Sequence, residues 1–144
     1  MRIAIASDHA AVELRQAVVK HLIALGHEVE DLGCAADERV DYPPYAAAVA
    51  GAVLQGGCAR GVLMCGTGIG MSIAANKFAG IRAALVHDVT TARLAAEHND
   101  ANILCLGGRT MGPLVATECI SAWLAARLDP RHQVRLDLIA KLED

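Results

Sequence analysis

The stretch Gly61-Val62-Leu63-Met64-Cys65-Gly66-Thr67-Gly68-Ile69-Gly70 constrains this chain more than any other. Val62 to Met64 is an apolar run of strand length, too short for a helix. Glycines at 66, 68 and 70 then free the backbone, and Met71 to about Phe78 reads as a helix. A strand, a glycine turn and a helix start aim several N–H groups at one point, which suits a phosphate or an oxyanion. Cys65 stands at the mouth of that nest. A free thiol titrates around 8.5, and such donors favour the thiolate. No Lys-Ser/Thr follows at P-loop spacing, and the third glycine comes one residue early for a dinucleotide fingerprint. A purely structural turn is the plain alternative, and Cys65 weakens it.

The 144 residues fit one domain, 1–144. Hydrophobic residues make up 54% of them and aromatics only 3%, so the core has to be built from Ala, Val, Leu and Ile. No apolar run approaches the ~18 residues of a membrane span. The chain opens directly on Arg2-Ile3-Ala4-Ile5-Ala6 without a signal-peptide layout. The five cysteines are odd in number and form no CxxC pair, the pattern of free thiols in a reducing cytoplasm. A net charge of −3 without a basic stripe argues against nucleic acid as a partner. Ala-rich, apolar helices imply that some helix surface is covered in an oligomer.

Strands are predicted at 2–6, 28–32, 62–64, 82–86 and 102–106, the second near an edge because it is less apolar. Helices are predicted at 10–25, 45–54, 71–78, 90–97, 113–128 and 131–142, with Pro43-Pro44 delaying the second until Tyr45. Strands alternating with helices predict an α/β fold whose five-stranded parallel sheet is covered on both faces. Ligands in such folds sit beyond the carboxyl ends of the strands. Ser7-Asp8-His9, Cys65-Gly66-Thr67, His87-Asp88 and Gly107-Gly108-Arg109 all fall there, whereas His98-Asn99-Asp100 follows a helix.

Taken singly, His9 and His98 read as surface or capping residues and Asp8 as a helix cap. Cys34, Cys58, Cys105 and Cys119 read as small buried hydrophobes. Arg131, His132 and Arg135 are either a solvated basic face or a phosphate clamp, which Arg109 would join. No His/Asp/Glu spacing suggests a metal site.

Together, Ser7-Asp8-His9, Asp41-Tyr42-Pro43, Cys65 to Gly70, Ala74-Ala75-Asn76-Lys77, Gly80-Ile81-Arg82, His98-Asn99-Asp100 and Arg131-His132-Gln133-x-Arg135 resemble the B-type ribose-5-phosphate isomerase family over nearly the whole chain. The family also includes allose- and galactose-6-phosphate isomerases. The resemblance implies a three-layer α/β/α Rossmann-like sandwich with strand order 2-1-3-5-4, working as a homodimer or a dimer of dimers. It implies interconversion of ribose 5-phosphate and ribulose 5-phosphate through a cis-enediolate, with no cofactor and no metal. In it Cys65 is the base, and Gly66, Thr67, Gly68, Ile69 and Gly70 hold the oxyanion. His98 opens the sugar ring, with Asp8 and His9 near the ring oxygen and hydroxyls. Tyr42 and Asn99 position the sugar, and Arg109, Arg131, His132 and Arg135 hold the phosphate across a subunit interface, to which the last helix contributes. Ala10-Ala11 departs from the Ala-Gly frequent in the family. The alternatives are an isomerase of a hexose or tetrose phosphate and, from another class, a nucleotide-binding regulatory module.

Overall fold

Alternation along the strands decides which helix covers which face. In the computed structural model, which describes residues 1–143, β1 (Arg2–Ser7), β2 (Glu28–Asp31), β3 (Arg60–Cys65), β4 (Ala83–Leu85) and β5 (Ile103–Gly107) form one parallel sheet. Its order is β2-β1-β3-β5-β4, as the resemblance implied. Asp144, the end of the expected domain, lies outside the described residues.

Successive strand residues point to opposite faces. Ile3, Ile5, Val62, Met64, Leu104 and Leu106 pack under α1 (Val12–Ala24), α4 (Val89–Asn99) and α5 (Pro113–Ala125). Ala4, Ala6, Leu63, Cys65, Ile103 and Cys105 face α2 (Pro43–Leu54) and α3 (Ile69–Ala75). The result is the three-layer Rossmann-like α/β/α sandwich. The polar edge strand is β2, as expected; β4 at the other edge has only three residues.

Several boundaries differ from those predicted, each for a local reason. Pro43 and Pro44 open α2 instead of delaying it, because the first turn needs no N–H from them. The glycine turn is tighter than expected, so α3 starts at Ile69 and ends at Ala75. Ahead of α1 lies a 3-10 turn, His9–Ala11, capped by Asp8. The long late helix α5 stops at Ala125, three residues short. The last predicted helix breaks into a 3-10 turn (Pro130–His132), α6 (Gln133–Ala140) and a second 3-10 turn (Lys141–Glu143). Finally, α4 extends through His98 and Asn99, and Asp100 ends it at φ 43°.

All strands share one direction, so the fold has two unlike poles. Loops leaving the strands gather at the carboxyl pole, and helices run back to deposit their own ends at the amino pole. Two glycines make the carboxyl pole possible. Gly68 has φ +76°, and a Cβ there would lie 2.9 Å from the Leu106 carbonyl oxygen. A Cβ at Gly108 would lie 2.7 Å from Ala10 O and from Ala11 Cβ. That clearance lets the unusual Ala10-Ala11 pair approach the loop after β5. We predict that Gly68→Ala lowers stability by about 1–3 kcal/mol, since a left-handed backbone and a backbone clash coincide. Urea denaturation checks this; an unshifted midpoint would show that the turn relaxes freely.

Candidate active site

β3 delivers Cys65 to the carboxyl pole with 4% of its surface exposed. Four N–H groups at a helix start lack intrahelical acceptors. Here Gly68 donates its N–H to Cys65 Sγ at 3.2 Å, and Ile69 donates to Thr67 Oγ1 at 3.2 Å. The N–H groups of Gly70 and Met71 are the remaining pair at the start of α3. Thr67 accepts from Ile69 and so keeps its own hydroxyl hydrogen to donate. The turn is tied to the loop after β5, where Gly108 N–H donates to Cys65 O at 2.8 Å and Arg109 N–H to Gly66 O at 2.9 Å. This pairing lays the Arg109 side chain over Gly66, where an added Cβ would lie 3.2 Å from Nη1.

Asp8 and His9 leave β1 beside this turn. Asp8 is 7% exposed, and its Oδ1 accepts the Ala10 N–H at 2.9 Å, so it is a cap as well as a site residue. His9 Nδ1 lies 3.0 Å from Val40 O and 3.2 Å from Val40 N, which pins the end of the 33–42 loop. The start of that loop is held by Arg15, which donates to Ser7 Oγ at 2.6 Å and Cys34 O at 2.7 Å and pairs with Asp31 at 3.2 Å. Held at both ends, the loop lays the Tyr42 ring over Gly70, where any Cβ would collide with it. The open cleft between these groups, about 550 Å³, is lined by Asp8, His9, Tyr42, Cys65, Thr67 and Arg109 among others. Arg39 and Ile73 also line it, and sequence reasoning passed over both. For Arg39 a signal was available, since it stands three residues before Tyr42 in the same motif-bearing loop.

The other predicted residues lie at the amino pole. His98 and Asn99 form the last turn of α4, and Asp129 N–H donates to Glu97 O at 2.8 Å, bringing the C-terminal segment alongside. The rings of His98 and His132 lie 4.2 Å apart, centre to centre. Arg135 Nη1 meets His132 Nδ1 at 3.0 Å, while Arg131 Nε donates to His132 Nε2 at 3.2 Å and pairs with Asp129 at 2.9 Å. The two arginines therefore converge on one imidazole, and neither is a bare solvated charge. Asp100 closes the group through ion pairs to Arg82 at 2.8 Å and Arg60 at 3.6 Å. Arg60 opens β3 and Cys65 ends it, so a strand of roughly 17 Å separates the two groups. One chain thus assembles Cys65 to Gly70, Asp8, His9, Tyr42 and Arg109, and separately His98, Asn99, Arg131, His132 and Arg135. It does not bring the two sets together.

The remaining thiols are buried, in keeping with their reading as small hydrophobes. Burial and a bond to Glu30 push Cys58 up to about 11, burial pushes Cys119 up to about 11, and burial also raises Cys105.

Against this geometry stand the comparisons. A family model described as Ribose/Galactose Isomerase matches residues 3–139. The chain is 47% identical to a putative sugar phosphate isomerase of Bacillus subtilis, across 100% of this chain and 98% of that protein. It is 46% identical to ribose-5-phosphate isomerase B of Escherichia coli, across 99% and 96%. Ribose-5-phosphate isomerase B of Clostridium thermocellum matches in structure with a TM-score of 0.97, at 45% identity across 99% and 97%. Fold and relatives together define a sugar-phosphate isomerase. The chain belongs to the ribose/galactose isomerase family, alongside its B-type ribose-5-phosphate isomerases.

Burial first, then His98 and the flanking arginines, hold the His132 imidazole below its ordinary range. The unfolded chain therefore takes up this proton at a higher pH than the folded one. The stabilisation is complete above the unfolded value near 6.5 and is lost as pH falls below it. We predict that the denaturation midpoint drops between about pH 7.5 and 5.5 and that His132→Gln flattens this slope. Equal slopes in the two proteins would contradict the assignment.

Proposed function

We propose that this chain interconverts D-ribose 5-phosphate and D-ribulose 5-phosphate through a cis-enediolate, with Cys65 as the base. The observation that carries this is a thiol receiving a backbone N–H at the head of a glycine turn, in a cavity large enough for a sugar phosphate. The Cys65 thiolate takes the C2 proton of the open-chain aldose and returns it to C1, while a second proton passes between O1 and O2. The Gly70 and Met71 N–H groups and the Thr67 hydroxyl stabilise the enediolate oxygen as a preorganised donor set. Tyr42 and Asp8 orient the hydroxyls. Among the described residues no His/Cys/Asp/Glu cluster has the form of a metal centre, and the proposed steps call on none.

Ring opening and the rest of the phosphate grip come, in this proposal, from a second copy. His98, Asn99, Arg131, His132 and Arg135 lie too far from Cys65 in their own chain, so the working unit is a homodimer or a pair of dimers. In support, α6 buries only Leu136 and leaves Val134, Leu138 and Ile139 exposed at 62%, 56% and 40%. No helix among the described residues is long and apolar enough to cross a membrane, and we place the enzyme in the cytoplasm on the strength of its free thiols.

Comparing kcat/KM on ribose 5-phosphate, allose 6-phosphate, galactose 6-phosphate and erythrose 4-phosphate tests the substrate, and a preference for any other sugar overturns it. Tight nucleotide binding without isomerase activity would overturn the whole reading. We predict that Cys65→Ala lowers turnover by about 10²–10⁴, the usual worth of a positioned base, and abolishes exchange of the substrate C2 hydrogen with solvent deuterium. Cys65→Ser should be nearly as poor, because a hydroxyl ionises far above neutral pH. Mixing Cys65→Ala chains with His98→Ala chains should restore activity, since a mixed dimer contains one intact site. An active Cys65→Ala enzyme removes the thiol from the mechanism, and failure of the mixture to recover argues against a shared site.

A further inference from the structure

An arginine is always charged, so one without a partner in the folded chain is paired with solvent or with something that arrives. Among the described residues six arginines form ion pairs with carboxylates. Arg127 donates to the carbonyls of Leu124 and Ala126, and Arg135 meets His132. Among the described residues only the guanidiniums of Arg39 and Arg109 have no hydrogen-bond or ion-pair partner. These same two line the cavity that contains Cys65, and both also line an adjoining one of about 430 Å³ that shares His9.

We propose that Arg39 is a further phosphate-binding residue of this site, acting with Arg109; the proposal rests on the isomerase reading above. Two cations directed at one cavity repel each other, and a doubly charged anion between them turns that cost into attraction. Planar guanidinium forks match phosphate oxygens two at a time, which gives orientation as well as charge. Asp37 and Glu38 line the adjoining cavity, yet neither forms an ion pair with Arg39 or Arg109. The position of Arg39 is not left to a loose loop. His9 holds the backbone of Val40 next to it, and Arg15 holds the loop's start at Cys34. The chain that carries Cys65 thereby supplies its own share of the phosphate grip, independent of the cations at the amino pole.

The test uses the full-length protein and two readouts, calorimetric titration with inorganic phosphate and steady-state kinetics on ribose 5-phosphate. For Arg39→Gln the phosphate Kd and the sugar-phosphate KM should each rise on the order of 10-fold or more, with a smaller change in kcat. Arg39→Lys should recover part of the loss, since it restores charge without the fork. Thermal midpoints of both variants should match the parent, because Arg39 is exposed and has no partner in the chain to lose. Unchanged phosphate affinity in Arg39→Gln overturns the proposal. So does equal weakening in the Lys and Gln variants together with a lowered midpoint, which would mark a structural role in the loop. If the parent protein bound phosphate but did not turn over the sugar, the isomerase reading would fail, and the calorimetric comparison would still decide the role of Arg39.

Discussion

Direction in the sheet governs everything else in this molecule. Hydrogen bonding between parallel strands forces every connection to travel back along a helix, so strand ends and helix ends are collected at opposite poles. Both faces are then covered, and the strands carry apolar side chains on each side, large under α1, α4 and α5 and mixed under α2 and α3, where Ala4, Ala6, Cys65 and Cys105 stand beside Leu63 and Ile103. On that mixed side Cys65 closes β3 and lines the cavity at the carboxyl pole.

The turn after β3 works because its neighbours are equally spare. The loop after β5 runs against it through two backbone bonds, and Gly68, Gly70 and Gly108 each stand where a side chain would strike a neighbour. A helix start is a general source of free donors, but here two of the four are spent locally, one on the thiol and one on Thr67. The turn thus positions its own thiol and hydroxyl with the same groups that elsewhere would hold a ligand. On the far side, Asp100 does comparable work: in a left-handed conformation, clasped by Arg60 and Arg82, it ends α4 directly after His98 and Asn99.

Much of this was legible in the residues. Alternating strands and helices specify the sheet, and the polar clusters after strands specify which pole carries Cys65, Asp8 and Arg109. Boundaries were harder. Pro43 and Pro44 read as a block to helix, whereas at a first turn their missing N–H costs nothing, and only the surrounding chain decides between the two. Arg39 had only its place three residues before Tyr42 to mark it, because a charged loop residue looks the same whether it faces solvent or a cavity; its lack of a partner is a tertiary fact. The convergence of Arg131 and Arg135 on His132 was likewise out of reach, because helical spacing places the arginines on one face without revealing what that face touches. His98-Asn99-Asp100 already stood apart in the sequence, following a helix while the other clusters followed strands, and the amino pole is where such a motif has to land.

Two unlike poles on one chain also limit how copies of it can join. A contact between the carboxyl pole of one molecule and the amino pole of the next is heterologous, and repeated in line it adds subunits without end. Placing a two-fold axis beside the sheet, across the strand direction, sets two chains antiparallel, so that each pole meets its complement and no unmatched end remains. Closure at two copies then follows from symmetry alone, with no surface set aside to stop growth. The two-fold axis, not the polarity of the chain, is what would keep such a pair finite.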